Sequence, residues 1–372
     1  MMELDNSDEN YQSQILPHVS RSFALTIPQL PTALRTPVTN AYLLCRIADT
    51  IEDEPQMWPG VKFVSLERFV AVVRGKYEAT LLASELLPQL SERTSRAERE
   101  LVLHMERIIR VTQRLNGPQR RAIERCIDVM CGGMHRFQQI TSLHGLARLS
   151  DLDDYCYYVA GVVGELLTEL FCGYSVAIAQ RRGALGDLTV SFAQGLQMTN
   201  ILKDIWDDRS RGASWLPQEV FCRHGIDLVQ LSAQHHEAGF AAALSELVGV
   251  AHAHLRNALS YALLIPTEEA GIRRFCLWAI GLAVLTLRNI ERTPDFTTGE
   301  QVKVSHADVA LTRILTSASV RNDWMLRRLF EWAARGLPLA SPSTVRHVVP
   351  PVPLIGRAIG PISRNCGTRG TA

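Results

Sequence analysis

The sequence predicts an all-α protein, a single helical bundle, and three observations carry that prediction. Apolar residues recur at helical spacing through most of the 372 residues. Alternating strand patterns are nearly absent. Proline and glycine are sparse through the middle of the chain and gather at its end.

The periodic segments run over Tyr42–Ile51, Leu66–Leu87, Glu98–Leu115, Arg120–Phe137, Leu152–Tyr174, Leu185–Trp206, Phe240–Leu263, Arg273–Arg292 and Ser305–Gly336. Each carries an apolar stripe that a bundle would bury. Asn116-Gly117-Pro118 separates the third from the fourth, because glycine and proline break helices. Asp151, ahead of LDDYCYYVAGVVGELLTELF, reads as an N-cap with acids in the first turn. Within the eighth segment, Phe275–Leu287 (FCLWAIGLAVLTL) has the length of a buried core helix. The sequence has no uninterrupted apolar run of about 18 residues, so no spanning helix is expected. Residues 1–340 therefore read as one domain. Residues 341–372 read as a flexible Pro/Gly-rich tail, basic through Arg346, Arg357, Arg364 and Arg369.

Hydrophobic residues make up 47% of the chain, enough for a sizeable core. Lys and Arg number 39 against 38 Asp and Glu, a net charge of +1. That balance argues against a nucleic-acid partner, which calls for a basic bias or stripe. The acidic start MMELDNSDEN lacks the basic and apolar regions of a secretory signal, so a cytoplasmic location is expected. The eight cysteines show no CxxC or zinc-like spacing and read as reduced, core-filling thiols. No GxxxxGK[ST] or strand-borne GxGxxG is present, so phosphates are not held by a glycine-rich loop.

Two acidic clusters carry the chemistry. In Asp49-Thr50-Ile51-Glu52-Asp53, the residues Asp49 and Asp53 are i and i+4 on a helix and share a face, with Glu52 beside Asp49. In the second cluster, Asn200, Asp204 and Asp208 run i, i+4, i+8, preceded by Gln197 and flanked by Lys203. One such cluster alone is more readily a solvated surface run. Two of the same form, each set among apolar residues, need a compensating cation. Mg²⁺ takes oxygen ligands and bridges one or two carboxylates to substrate phosphates, with Mn²⁺ as a substitute. Asp49, Glu52, Asp53, Asn200, Asp204 and Asp208 are the candidate ligands. Arg46, Lys203 and Arg21 are candidate phosphate contacts.

The third feature is Asp154-Tyr155-Cys156-Tyr157-Tyr158-Val159-Ala160-Gly161-Val162-Val163-Gly164. Gly161 and Gly164 weaken a helix by about 1 kcal/mol each, so they serve space: close helix packing or room for a long ligand. Val159 and Val163 share one wall. The tyrosines belong either to the core or to proton transfer and cation steering in an apolar cavity.

Four segments together resemble the squalene/phytoene synthase family: SRSFALTIPQLP (Ser20–Pro31), YLLCRIADTIED (Tyr42–Asp53), DYCYYVAGVVGELL (Asp154–Leu167) and QMTNILKDIWDDRSRGASWLPQE (Gln197–Glu219). The resemblance runs from about His18 to about Gly336. It implies an isoprenoid synthase helical bundle with a central active-site cavity. It implies that Asp49, Asp53, Asp204 and Asp208 hold diphosphate through Mg²⁺, that Ser20, Arg21, Arg46, Gln197, Asn200 and Lys203 bind substrate, and that Tyr155 assists cyclopropane formation. Phe23, Tyr42, Val159 and Val163 are then the prenyl-cavity wall. Lys203 stands where the family often has arginine.

The implied reaction joins two farnesyl diphosphates head to head through presqualene diphosphate. The chain is most similar to the bacterial form of the squalene-producing branch, which reduces that intermediate with NADPH. Phe275-Cys276, Ala279, Thr286-Leu287 and Trp215–Glu219 carry this likeness, and Lys303 is similar to a lysine near the cofactor region. Two departures are a missing proline after Phe275-Cys276 and a tail that is not expected to act as a membrane anchor. Phytoene or dehydrosqualene synthesis without hydride transfer is the alternative reaction. A non-catalytic binding or assembly protein is the alternative class. The resemblance also implies isoprenoid diphosphates as partners, a monomer, and peripheral contact with the inner face of a membrane.

Overall fold

Helix-stopping residues set the observed elements. The computed structural model describes residues 2–233 and 238–340, with the side chains of 2–6, Arg21 and residue 238 left aside. The expected tail therefore lies outside the described residues. The elements are helices throughout, and the described residues hold no strand, only an isolated bridge between Leu146 and Pro217. The all-α expectation is met.

Several expected helices are divided. Leu66–Leu87 is two helices, Pro59–Val73 and Ala79–Leu86, because Gly75 takes φ 69° between them. Glu98–Leu115 breaks at His104, whose φ of −107° and ψ of 25° leave the helical region. The last segment divides into His306–Ser319 and Asp323–Ala333, the second capped by Asn322. Asn116 caps Gly117–Gln138 by accepting from the Gln119 N–H at 3.0 Å. Asp151 is not the N-cap. Leu149 N–H donates to Glu219 at 2.8 Å, which starts the helix at Leu149 and puts Asp151 at N3, accepting from Arg148 N–H.

The acidic start is a helix, Met2–Val19. Buried Asp8 pins it by accepting from Arg107 and Arg110, at 3.2 and 2.9 Å, with Arg114 at 3.4 Å. The Arg182–Lys203 helix lies at the centre, packed most extensively on Ala238–Leu264. Gly195 permits that approach: a Cβ there would lie 2.9 Å from Leu255 Cδ2 and 3.0 Å from its backbone N. Gly164 does the same, since its Cβ would meet Thr189 O at 2.7 Å. Of the two readings of Gly161 and Gly164, close packing is therefore the one observed. Beside them Thr168 bonds both Thr189 and Tyr261 at 2.8 Å, which satisfies three buried hydroxyls together.

One continuous apolar core runs from Tyr11 to Ala334. Two helices, Leu149–Tyr174 and Ala270–Arg292, are long and apolar enough to cross a membrane, but 67% and 56% of their apolar windows are buried inside the protein. They serve here as core helices. Cys45, Cys126, Cys131, Cys156, Cys172 and Cys276 are free and buried, as expected, whereas Cys222 is disulfide-bonded.

Candidate active site

The first acidic cluster closes the Thr32–Asp53 helix, whose buried face holds Leu43, Leu44, Ile47, Ala48 and Ile51. That stripe fixes the rotation of the helix and turns Asp49 and Asp53 the same way. Arg46 lies 3.8 Å from Asp49 and also pairs with Glu98. The helix end is held from three sides. Lys62 Nζ and Gln138 Nε2 donate to the carbonyl of Glu52, and buried Glu54 accepts from Ser91 N–H at 2.8 Å and Thr94 Oγ1 at 2.7 Å. Glu52 Oε1 is buried with no hydrogen-bond donor.

The second cluster is not one unbroken helix. The central helix ends at Lys203, and Asp204, at φ −99° and ψ 16°, joins it to a short helix, Ile205–Ser210. The i→i+4 bonds survive the joint: Asp204 N–H donates to Asn200 O and Asp208 N–H to Asp204 O, at 2.8 and 2.9 Å. Asn200 is exposed, Gln197 half-buried, and Lys203 Nζ lies 3.1 Å from Asp204.

Arg211 brings the clusters together. Its Nη1 is 3.1 Å from Asp53 Oδ2, and its Nη2 bonds Asp208 Oδ1. The sequence reading missed this residue, although its position three after Asp208 was a usable signal. It also missed Gly299, where a Cβ would lie 3.1 Å from Asp204 Oδ1, so the backbone before Lys303 abuts the second cluster. Lys303 itself pairs with Glu300 at 2.8 Å.

The aromatic residues form an adjoining wall. Phe23 lies 4.8 Å from Tyr42 and 6.4 Å from Phe275, centroid to centroid. Tyr42 donates its hydroxyl to Val19 O at 3.0 Å. Ser20 caps the short helix Arg21–Thr26 by accepting from Phe23 N–H at 3.0 Å. Its observed contact is thus a cap that orients Phe23. The side chain of Arg21 lies outside the described residues. Val159 and Val163 are half-buried against the core. Tyr155 is stacked on Trp215 at 3.9 Å and meets the edge of Phe137 at 5.2 Å. Tyr155 lies in the Leu149–Cys156 helix, two residues before a π-helical turn, Tyr157–Gly161. Such one-residue bulges re-aim side chains and are frequent at functional sites.

Electrostatics mark the same place. Burial pushes the carboxyls of Asp49 and Asp208 up to about 7, Asp49 against the pull of Arg46 and Asp208 against that of Arg211. Asp204 and Glu52 are raised too, chiefly by burial, with Glu52 further raised by Asp53 and Asp49. Asp49 still has 38% of its side chain accessible. Water can touch it, but the surrounding protein displaces most of the bulk water that would stabilise its charge, and that displacement governs. Tyr155 is raised by burial and then by the negative field of Glu52, Asp53 and Asp208. Clustered carboxylates only partly balanced by Arg46, Lys203 and Arg211, with Glu52 Oε1 left without a donor, suit a hard cation. No group of three or more His, Cys, Asp or Glu side chains forms a ready cage among the described residues.

A squalene/phytoene synthase family model matches residues 16–308. The chain belongs to that family. Among relatives of this family, it is 29% identical over 294 residues to the squalene synthase ERG9 of Gibberella zeae, covering 78% of this chain and 60% of that one. It is also 29% identical over 276 residues to the squalene synthase of Eremothecium gossypii, covering 74% and 60%. The chain thus spans 60% of the length of these curated relatives. The fold matches a ligand-bound structure of TcSQS with a TM-score of 0.70 at 23% identity, over 88% of this chain and 91% of that one. The isoprenoid synthase bundle expected from the sequence is therefore the fold observed.

Proposed function

We propose that this family member joins two farnesyl diphosphates head to head through presqualene diphosphate and reduces the product with NADPH to squalene. The observation that carries the reading is the meeting of the Asp49–Asp53 and Asp204–Asp208 motifs across Arg211, beside the Phe23–Tyr42–Phe275 wall. The squalene synthases among its relatives support the product branch. Residues 1–340 are taken as the catalytic domain.

Asp49, Glu52, Asp53, Asn200, Asp204 and Asp208 are assigned to Mg²⁺, or Mn²⁺ in its place. When bound, the ion neutralises diphosphate charge and helps it leave. Arg46 and Lys203 add cationic contacts to phosphate, Lys203 as a point charge rather than a bidentate fork. Phe23, Tyr42, Val159 and Val163 shield the prenyl chain from water. Tyr155, kept unionised by burial and by the field of Glu52, Asp53 and Asp208, is assigned to cyclopropane formation, where its neutral hydroxyl oxygen would assist the loss of the proton that ring closure releases. When bound, NADPH would supply the hydride, and Lys303 is assigned to the cofactor region on the resemblance.

Peripheral membrane contact belongs to this reading, as its substrate and product are lipids. Trp324, Trp332 and Ile314 are 64%, 53% and 65% exposed, and Arg327, Arg328 and Arg335 are exposed in the stretch that carries the two tryptophans, Arg328 pairing with Glu331. Arginine beside exposed tryptophan suits an anionic lipid surface. Co-sedimentation with anionic vesicles, lost in Trp324→Ala/Trp332→Ala, checks it. Equal sedimentation of both proteins rejects it. A cytoplasmic, monomeric protein is the state assumed.

The deciding experiment is a product assay with farnesyl diphosphate and Mg²⁺, with and without NADPH. Squalene only when NADPH is added supports the proposal. Dehydrosqualene regardless of NADPH overturns the reductive step, and failure to consume farnesyl diphosphate overturns the substrate.

A further inference from the structure

We infer that Arg211 makes divalent-cation binding at the acid clusters conditional on diphosphate, by occupying the carboxylate oxygens the cation needs until phosphate oxygens draw its guanidinium away. The inference rests on the reading of those acids as a metal–diphosphate site.

Arg211 follows the Ile205–Ser210 helix and precedes Gly212, whose φ of 79° turns the chain. Its guanidinium spans Asp53 at 3.1 Å and Asp208, one carboxylate from each motif. Among the described residues, this is the ion-paired side chain that joins the two motifs. The neighbouring cations are engaged within one side of the site. Arg46 pairs with Glu98 and Asp49, Lys203 with Asp204, and Lys62 bonds the Glu52 carbonyl. Arg211 is 30% accessible, so its side chain has room to turn.

The physical argument is one of competition. A carboxylate oxygen that accepts from a guanidinium offers fewer lone pairs to a metal ion, and two cations side by side repel. A divalent ion arriving alone must therefore displace Arg211 into water. An ion arriving with a diphosphate displaces it onto phosphate oxygens, which a planar guanidinium binds in bidentate fashion. The two ligands are thereby coupled through one side chain, and the coupling is reciprocal. Such coupling would keep the clusters from loading metal without substrate.

The test measures Mn²⁺ binding by electron paramagnetic resonance, with and without inorganic pyrophosphate, correcting for the Mn²⁺–pyrophosphate complex in solution. Wild type, Arg211→Gln and Arg211→Lys are compared, with circular dichroism to check folding. In Arg211→Gln, Mn²⁺ alone is expected to bind about ten-fold more tightly, and the enhancement by pyrophosphate to fall by a similar factor. Arg211→Lys keeps the charge but not the two-carboxylate span, so it falls between. Unchanged or weaker Mn²⁺ binding in Arg211→Gln, with wild-type enhancement intact, overturns the role of Arg211 alone. Wild-type protein showing no enhancement by pyrophosphate overturns the underlying site reading as well.

Discussion

Replacing Asp208 by Asn is expected to stabilise the protein while removing its activity. The Asp208 side chain is only 10% accessible, and its carboxyl is raised from 3.8 to about 7, by burial first and by Asp53 and Asp204 in addition. A group raised this way disfavours the folded state above its unfolded value. The effect is fully present above the folded value and fades as pH falls toward 3.8. A shift of about three units corresponds to roughly 4 kcal/mol at pH 8. Asparagine avoids that penalty but leaves Arg211 with one partner, so about half is a realistic net gain. For a chain of this size, about 2 kcal/mol raises the melting temperature by about 3 °C. The assay is thermal melting of wild type and Asp208→Asn in chelator, at pH 8 and pH 5. The gain should be positive at pH 8 and shrink to less than half at pH 5, because at the lower pH wild-type Asp208 is already largely neutral. A loss of stability at pH 8, or a gain independent of pH, would refute the argument.

Three further outcomes are expected. Asp49→Asn should lower turnover by about a thousand-fold with an unchanged helical circular dichroism spectrum, because the carboxylate works through charge rather than packing. Retained turnover would remove Asp49 from the metal site. Tyr155→Phe should slow presqualene diphosphate formation by about a hundred-fold while keeping the Trp215 stack, and single-turnover product analysis reads this directly. Asp8→Asn should destabilise the fold by about 2 kcal/mol at neutral pH, since three arginines lose a buried charged partner. Arg110 holds the Asp8 carboxyl below its usual value, so this contribution is present above the ordinary carboxylate range and is lost as pH falls through the lowered value. Melting curves at pH 7 and pH 3 should therefore differ for wild type and converge for the variant.

Much of the fold was legible because long amphipathic segments repeat one period, and a bundle needs little else. The ends were less legible. Gly75 and His104 sit inside apolar patterns that continue across them, so periodicity alone runs the flanking helices together. Met2–Val19 escaped because its stability comes from the Asp8 cluster, with arginines about a hundred positions away in sequence. The acid motifs were legible as local spacing, whereas Tyr155 stood out from its neighbouring tyrosines only through the family resemblance. Arg211 was legible only in part: its place three after Asp208 is a local signal, but its reach to Asp53, a long-range neighbour, is not. The π turn at Tyr157–Gly161 left no trace either, as the same residues can close either i→i+4 or i→i+5 bonds.

The mounting of the second motif bears on how the site works. Ile205–Ser210 has six residues, too few to hold a helix by itself. It is held by side chains that reach distant backbone: Trp206 Nε1 donates to Phe296 O and Arg209 Nη2 to Leu231 O, each at 2.6 Å. The first motif, in contrast, closes a 22-residue helix with a buried stripe along its length. One set of carboxylates thus stands on a rigid element, and the other on a turn fixed at two points. On the proposed metal–diphosphate reading, acids bridged by Arg211 can exchange it for a cation and a diphosphate only if one side can shift by small amounts. The turn that carries Asp208 also leads directly to Arg211, so a movement that releases the guanidinium repositions the carboxylate with it.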